Sequence, residues 1–347
     1  MRVSAKEAIA EATEYLSGGF LSPEVTGGLE GQSRNLSGDC SSYYFEYHCS
    51  DPLQCDFLCS LTYKNSLPLL RRLSGQPVHF KEYLWQVLFR FLENWNNRKT
   101  GLSVMIPHIW LAFDFNRKQG RYGPPNIHFC IDRNFLNRTR FPDYRNYLPV
   151  EQLQSTVSTV AENCFSGTDT MKIPSLRKCF RALDAGGEVL HLSFMHNRMP
   201  PVFKLNTTIP AGSILPVLKE AGWSGDGARV KKICSEFAPR EKRIKCNLCF
   251  SRKISRKLEI ELEYNMPLKS NTGRTRMLAS LLDSGLITPS QHSVFKKWSG
   301  SSSINSGKNG MRVELRRWLD VKLCIGKTDG VACKAYLGFA PLPAIKW

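Results

Sequence analysis

The 347-residue chain is 42% hydrophobic and 22% charged, the proportions of a folded globular protein, which excludes a disordered or low-complexity one. Forty-eight Lys and Arg against 30 Asp and Glu give a net charge of +18, so nucleic acid, anionic membrane, acidic peptides and diphosphates are the partner classes to expect. No window approaches the ~18 apolar residues of a membrane span. The N-terminal MRVSAKEAIAEATEYLSGG also lacks a signal peptide's apolar core, so a cytoplasmic location is expected.

In chain order, the first segment places Ala8, Ile9, Ala12 and Leu16 on one side of an amphipathic helix. The Gly- and Ser-rich stretch from Ser17 to Ser41 reads as loop. Tyr43, Phe45 and Tyr47 then alternate with Tyr44, Glu46 and His48. After a turn at Ser50-Asp51-Pro52, Cys55, Phe57, Cys59 and Leu61 alternate with Gln54, Asp56 and Ser60, giving a first hairpin near 42–63. Helical periodicity follows over Leu67 to Leu73 and Phe80 to Trp95.

A second hairpin, near 105–132, joins HIWLAFDF to NIHFCID through a long Gly/Pro/Arg turn. Its apolar residues Ile109, Leu111, Phe113, Ile127 and Phe129 oppose Trp110, Asp114 and His128. Helices are expected over Val150 to Cys164 and Pro174 to Ala185. The third hairpin, near 188–209, sets Leu190, Leu192, Phe194, Phe203 and Leu205 against His191, Ser193, Lys204 and Asn206. Helices over Ser213 to Ala221 and Gly227 to Phe237 precede the fourth, near 242–264, where Ile244, Cys246, Leu248, Leu258 and Ile260 oppose Arg243, Lys245, Asn247, Glu259, Glu261 and Glu263.

Two more helices are expected, Arg276 to Asp283 and Pro289 to Trp298. The second opens on Thr288-Pro289-Ser290-Gln291, a capping box with proline at the first helical position. A Ser/Gly/Asn loop and a short helix-prone segment lead to the fifth hairpin, near 317–340. There Leu319, Val321, Leu323 and Ile325 oppose Asp320, Lys322 and Cys324, while Val331, Cys333, Ala335, Leu337 and Phe339 oppose Lys334 and Tyr336.

Five hairpins alternating with helical pairs need their apolar faces covered, and the helices can cover them only from outside. The expected fold is therefore α+β: a ten-stranded antiparallel β-barrel of five ββαα repeats surrounded by helices. It forms one domain over 1–347, with 1–41 as N-terminal helix and loop. Closure removes the sheet edges and leaves the polar faces lining a lumen wide enough for a ligand.

Lys334-Ala335-Tyr336 is a K-x-Y pair on a lumenal strand. Lys204-Leu205-Asn206 and Arg243-Ile244-Lys245-Cys246-Asn247 are variants with Asn where Tyr would stand. In this serial pattern and these pairs the chain resembles the ABBA-type aromatic prenyltransferases, whose fold is the PT barrel. The resemblance implies an enzyme that moves an allylic prenyl group from a diphosphate to an aromatic small molecule or peptide. It implies Lys204, Arg243, Lys245, Lys322, Lys334 and Tyr336 around the diphosphate, and Tyr44 and Trp110 as π-faces that shield the carbocation. Glu46 would hydrogen-bond the acceptor, with His48 and Asp114 as candidates for taking the final proton. Mg²⁺ is compatible but not implied; the carboxylates on the fourth hairpin are where it would sit.

A competing reading is a basic binding protein. Between Arg229 and Lys257 the chain holds eleven Lys or Arg against two acids, a possible nucleic-acid track. LLDSGLITPSQHSVFKKW has helix-turn-helix proportions, with Gly285 in the turn. Cys246 and Cys249 have zinc-knuckle spacing and Cys55 and Cys59 offer a second pair. Alternation sends the first two to opposite faces, so buried thiols are expected instead. No P-loop, zincin helix, G-x-S-x-G elbow or dinucleotide fingerprint is present.

Overall fold

The structure, a computed structural model, describes residues 4–16, 20–36, 40–75, 82–131, 155–160, 174–184, 186–195, 202–239, 241–250, 253–263, 271–306, 311–326 and 330–342. The alternating segments form strands β1 (Ser42–His48), β2 (Cys55–Thr62), β3 (His108–Phe113), β4 (Phe115–Asn116), β5 (Arg121–Tyr122), β6 (Asn126–Cys130), β7 (Glu188–Met195), β8 (Val202–Pro210), β9 (Arg243–Phe250), β10 (Ile254–Glu263), β11 (Gly300–Ser306), β12 (Met311–Ile325) and β13 (Val331–Leu342). Ten of them pair antiparallel in the order β10-β9-β8-β7-β6-β3-β2-β1-β13-β12, and β10 pairs β12 to close the barrel.

Outward-facing side chains meet the helices and make the core. Phe45, Phe57, Phe113, Phe129, Phe250 and Phe339 are fully buried on that face. Helix α4 (Tyr83–Asn96; α1, α2 and α3 are Ala5–Glu14, Pro23–Asn35 and Leu67–Ser74) covers the second hairpin with Leu88, Phe91 and Trp95. The Phe91 and Phe129 rings meet edge to face at 4.9 Å. Burying each such aromatic contributes about 1.5–3 kcal/mol.

Beyond a short helix α5 (Leu102–Met105), the outer layer continues with α6 (Pro174–Leu183), α7 (Ile214–Glu220), α8 (Gly227–Phe237), α9 (Asn271–Asp283) and α10 (Pro289–Trp298). The capping box at the start of α10 is present: Gln291 N–H donates to Thr288 Oγ1 at 3.2 Å, and Thr288 N–H to Gln291 Oε1 at 2.8 Å. The turn between α9 and α10 has Gly285 at φ 67, but α10 buries Phe295 and Trp298 against the barrel, so that helix is committed to packing. Helix α1 buries Ala8, Ile9 and Ala12, and Leu16 just beyond its end is buried with them, as expected.

Three expectations fail. The stretch from Ser17 to Ser41 contains α2, started by the Ser22 hydroxyl, which accepts from Val25 N–H at 3.3 Å, and by Pro23 at the first helical position. Its glycines lower helix propensity, but at Gly28 a Cβ would lie 3.2 Å from the rings of Phe115 and Tyr122. Gly28 lets α2 lie against the small β4–β5 hairpin, which itself occupies the long turn of the second repeat. The Ser/Gly/Asn segment is likewise not simply loop, and the residues after it are not helical. Gly300–Ser306 is β11, paired with the first half of β12. The expected helix over Val150 to Cys164 lies mostly outside the described residues, of which 155–160 are helical.

Candidate functional site

Inside the barrel the register sets lysines beside carboxylates. Lys322 lies opposite Glu261 on β10 and Lys334 on β13; Lys245 lies opposite Glu261; Glu46 on β1 lies opposite Tyr336 and Asp56. The ion pairs follow from that placement. Lys204 Nζ is 2.6 Å from Glu259, Lys245 is 2.9 Å from Glu261, and Lys334 is 2.6 Å from Glu46. Lys322 reaches Glu261 at 2.9 Å and Glu259 at 3.7 Å, and donates to the Tyr336 hydroxyl at 2.6 Å. Lys257 adds a pair to Glu259 at 3.0 Å, and Asn247 donates to Glu261 at 2.6 Å. Arg243 stands apart at the end of β9, tied to Glu188 and to the carbonyls of Gly186 and Thr208.

Above this network lies a group of aromatic rings centred on Tyr44. Its ring is 5.2 Å from Trp110, 5.5 Å from Trp318 and 5.9 Å from Tyr336. Trp318 Nε1–H donates to the Tyr44 hydroxyl, which donates to Asp320. The packing depends on Gly338, where a Cβ would stand 2.3 Å from the Trp318 ring and 2.6 Å from that of Tyr44.

A third cluster joins β1 to β2. His48 Nε2 is 3.0 Å from Asp56 Oδ2, and Asp56 also accepts from Gln54 Nε2 at 2.6 Å and from the Phe115 N–H at 2.9 Å. A carboxylate held from three sides fixes the imidazole beside it, the arrangement that orients a general base. Asp114, on the neighbouring strand connection, accepts from Asn126 at 3.3 Å.

These groups surround one cavity of about 150 Å³, room on the order of ten waters. It gathers Glu46, Asp114, Lys204, Lys245, Lys322, Lys334, Tyr336, Tyr44 and Trp110 from the sequence-derived candidates; Arg243 and His48 are not among its lining residues. Asp56 was visible in the sequence only as one polar residue in an alternating strand, and Trp318 not at all. The four lysines lining the cavity share it with Glu46, Asp56, Asp114, Glu259, Glu261 and Asp320, so its charge is balanced by carboxylates, several of them on the polar strand faces read from the sequence.

Burial alone would push these carboxyls up, but the ammonium groups overcome it. Lys334 and Lys322 hold Glu46 well below the usual carboxylate range; Lys204 and Lys322 do the same for Glu259, and Lys245 and Lys322 for Glu261. The carboxylates in turn raise Lys322 and Lys334. Deeper in the wall, burial lowers His108 to about 4 and holds His191 well below its ordinary value, so both imidazoles are neutral at pH 7.

The nucleic-acid track is divided by the fold. Lys245 and Lys257 turn into the acid network, while Lys231, Lys232, Lys253, Arg256 and Lys296 are exposed on the surface. Cys246 packs outward beside Thr207 and Cys249 lies on the opposite face of β9, so that pair cannot share an ion.

No protein-family model and no curated protein matches the sequence. Solved structures do match by shape. One is AnaPT from Neosartorya fischeri, over 96% of this chain and 91% of that one, at 12% identity and a TM-score of 0.56. Another is a 6-dimethylallyl tryptophan synthase, over 97% and 96%, at 12% identity and a TM-score of 0.51. At that identity the likeness is one of fold.

Proposed function

With the chain established as a PT barrel, we propose that its lumen transfers an allylic prenyl group from a diphosphate donor to an aromatic acceptor, free or within a peptide. The observation that carries this reading is the ring cluster Tyr44, Trp110 and Tyr336 lining one cavity with Lys322 and Lys334, the Lys322 ammonium lying 4.5 Å from the centre of the Tyr336 ring. An allylic cation needs π-faces that stabilise it without reacting, and its leaving group needs donors on the other side.

In the proposed reaction the donor's C–O bond breaks and the diphosphate keeps the electron pair. Lys204, Lys245, Lys322, Lys334 and the Tyr336 hydroxyl receive it. Tyr44 and Trp110 face the cation. Glu46 accepts a hydrogen bond from the acceptor's ring N–H or O–H, which raises the nucleophilicity of the attacking carbon, and Asp114, which lines the cavity, takes the ring proton. His48, bonded to the lining residue Asp56, is the alternative base, reached through that carboxylate. Four ammonium groups against six carboxylates give no net positive charge for a bare diphosphate, so the donor enters as its magnesium complex, which supplies the missing counter-charge. The lysines exchange a carboxylate partner for a phosphate oxygen as it binds.

The test is purified protein with dimethylallyl and geranyl diphosphates, with Mg²⁺ or with EDTA, against tryptophan, indoles, phenols and aromatic-containing peptides. Product formation with Mg²⁺, abolished by Lys322→Met, is the expected result. No turnover together with no calorimetric signal for either diphosphate would overturn the proposal.

A further inference from the structure

His108, Cys130 and His191 sit side by side on three adjacent strands. His108 on β3 is the register partner of Cys130 on β6, and Cys130 is the register partner of His191 on β7. All three are buried, and one ligand atom of each lies within 4.8 Å of the other two. None takes part in the prenyl transfer proposed above, so a role for the three is independent of that reaction.

Strands in a sheet stand about 4.8 Å apart, so the outer two of three are nearly 10 Å apart at the backbone. Two things bring their ends together here. The concave inner wall of a barrel tilts neighbouring side chains toward one another. The order of residues is also long, short, long, so the two imidazoles can lean over the central thiol; their centroids are 6.1 Å apart with the planes at 78°. A tetrahedral zinc ion with Zn–N of about 2.0 Å and Zn–S of about 2.3 Å sets its ligand atoms roughly 3.3–3.8 Å from one another. The observed cluster meets that spacing with shifts of about 1 Å, within the reach of small side-chain rotations.

We propose that His108, Cys130 and His191 form a zinc site in the barrel wall. Two neutral imidazoles and a thiolate are a donor set suited to this borderline-soft ion. Binding displaces the Cys130 thiol proton to solvent, so uptake releases one proton and strengthens as pH rises. Three protein ligands leave a fourth position, and His191 also lines the cavity, so water or a substrate oxygen or sulfur can occupy it.

The experiment uses the whole chain. Protein produced in zinc-supplemented medium and passed through gel filtration should retain about one zinc per chain by elemental analysis. Exchange with Co²⁺ should give the visible bands of a four-coordinate ion and a near-ultraviolet sulfur-to-cobalt charge-transfer band. Cys130→Ser should remove the charge-transfer band, His108→Ala and His191→Ala should lose the metal, and Cys249→Ser, a cysteine elsewhere on the inner face, should change nothing. Should the ligand variants fail to fold, wild-type stoichiometry and the cobalt spectrum still decide. A wild-type protein that retains no zinc and shows no cobalt bands overturns the proposal. So does a charge-transfer band that survives Cys130→Ser, or copper retained in place of zinc.

Discussion

Glu261 serves two lysines at once, Lys245 and Lys322, and accepts amide hydrogens from Asn206 and Asn247 as well. Removing its charge leaves buried ammonium groups short of a partner, a change that costs about 3–5 kcal/mol. Glu261→Gln should therefore lower stability in urea by that amount, and because it frees two lysines it should tighten calorimetric binding of the magnesium diphosphate. Weaker binding in a folded variant would mean that the lysines serve only the carboxylates. Gly338→Ala acts differently: a Cβ there drives into the Trp318 and Tyr44 rings. Overpacking of this kind costs about 1–3 kcal/mol, and a drop in melting temperature with altered tryptophan fluorescence would report it. That Lys322, Lys334 and Tyr336 face the lumen was legible from alternation alone. Which carboxylate each lysine meets was not, because a cross-strand partner is set by register between segments far apart in sequence.

Among the elements, β12 changes partner along its length. Its first part pairs β11 and its second part pairs β10, while β13 runs beside nearly all of it. Arg317 marks the changeover, donating to the Trp298 carbonyl at 3.0 Å and to Ser302 Oγ at 2.8 Å, with its guanidinium stacked over Tyr15. Replacing Arg317 with Ala should cost about 1.5–3 kcal/mol for each charged hydrogen bond lost and should abolish amide-exchange protection in β11 before the barrel strands respond. The hairpins and the capped α10 were readable because their period and caps are strong local signals. Helix α2 and strand β11 were not: one is interrupted by glycines and the other is built mainly from Ser, Gly and Asn, residues that do not favour strands, and each is held by contacts that only the folded barrel supplies.

For the whole molecule, the +18 charge and an acid-rich lumen mean that the positive surplus lies outside. Binding of any polyanion to that surface should weaken steeply with salt and be indifferent to Lys204→Ala. Stability should depend on pH at both ends. Glu259 and Glu261 titrate below their ordinary 4.5 in the folded chain, so their contribution is complete above that value and is lost as pH falls toward their folded pKa values. His108, lowered from 6.5 to about 4, adds a loss between those two values as pH falls. Lys322, raised above 10.5, contributes below that value and loses its contribution as pH climbs past it. The buried thiols of Cys55, Cys59 and Cys333, raised well above their ordinary 9.0, likewise lose their contribution as pH climbs past that value, so urea midpoints should form a plateau from about pH 6.5 to about pH 9 and decline on either side.

Hairpin β12–β13 meets β10 on one flank and β1 on the other. Until it is made, an emerging chain carries two open sheet edges, one from the first repeat and one from the fourth, each a template for wrong pairing. The seam that seals them joins Tyr43 to Phe339, far apart in sequence, so ring closure waits until the fifth hairpin has been made and depends on a slow, long-range search. A chain stopped at Ser306 should be recovered as aggregate, and adding the missing hairpin as a separate peptide during refolding should rescue soluble protein. The final hairpin is the keystone of assembly as well as a wall of the cavity.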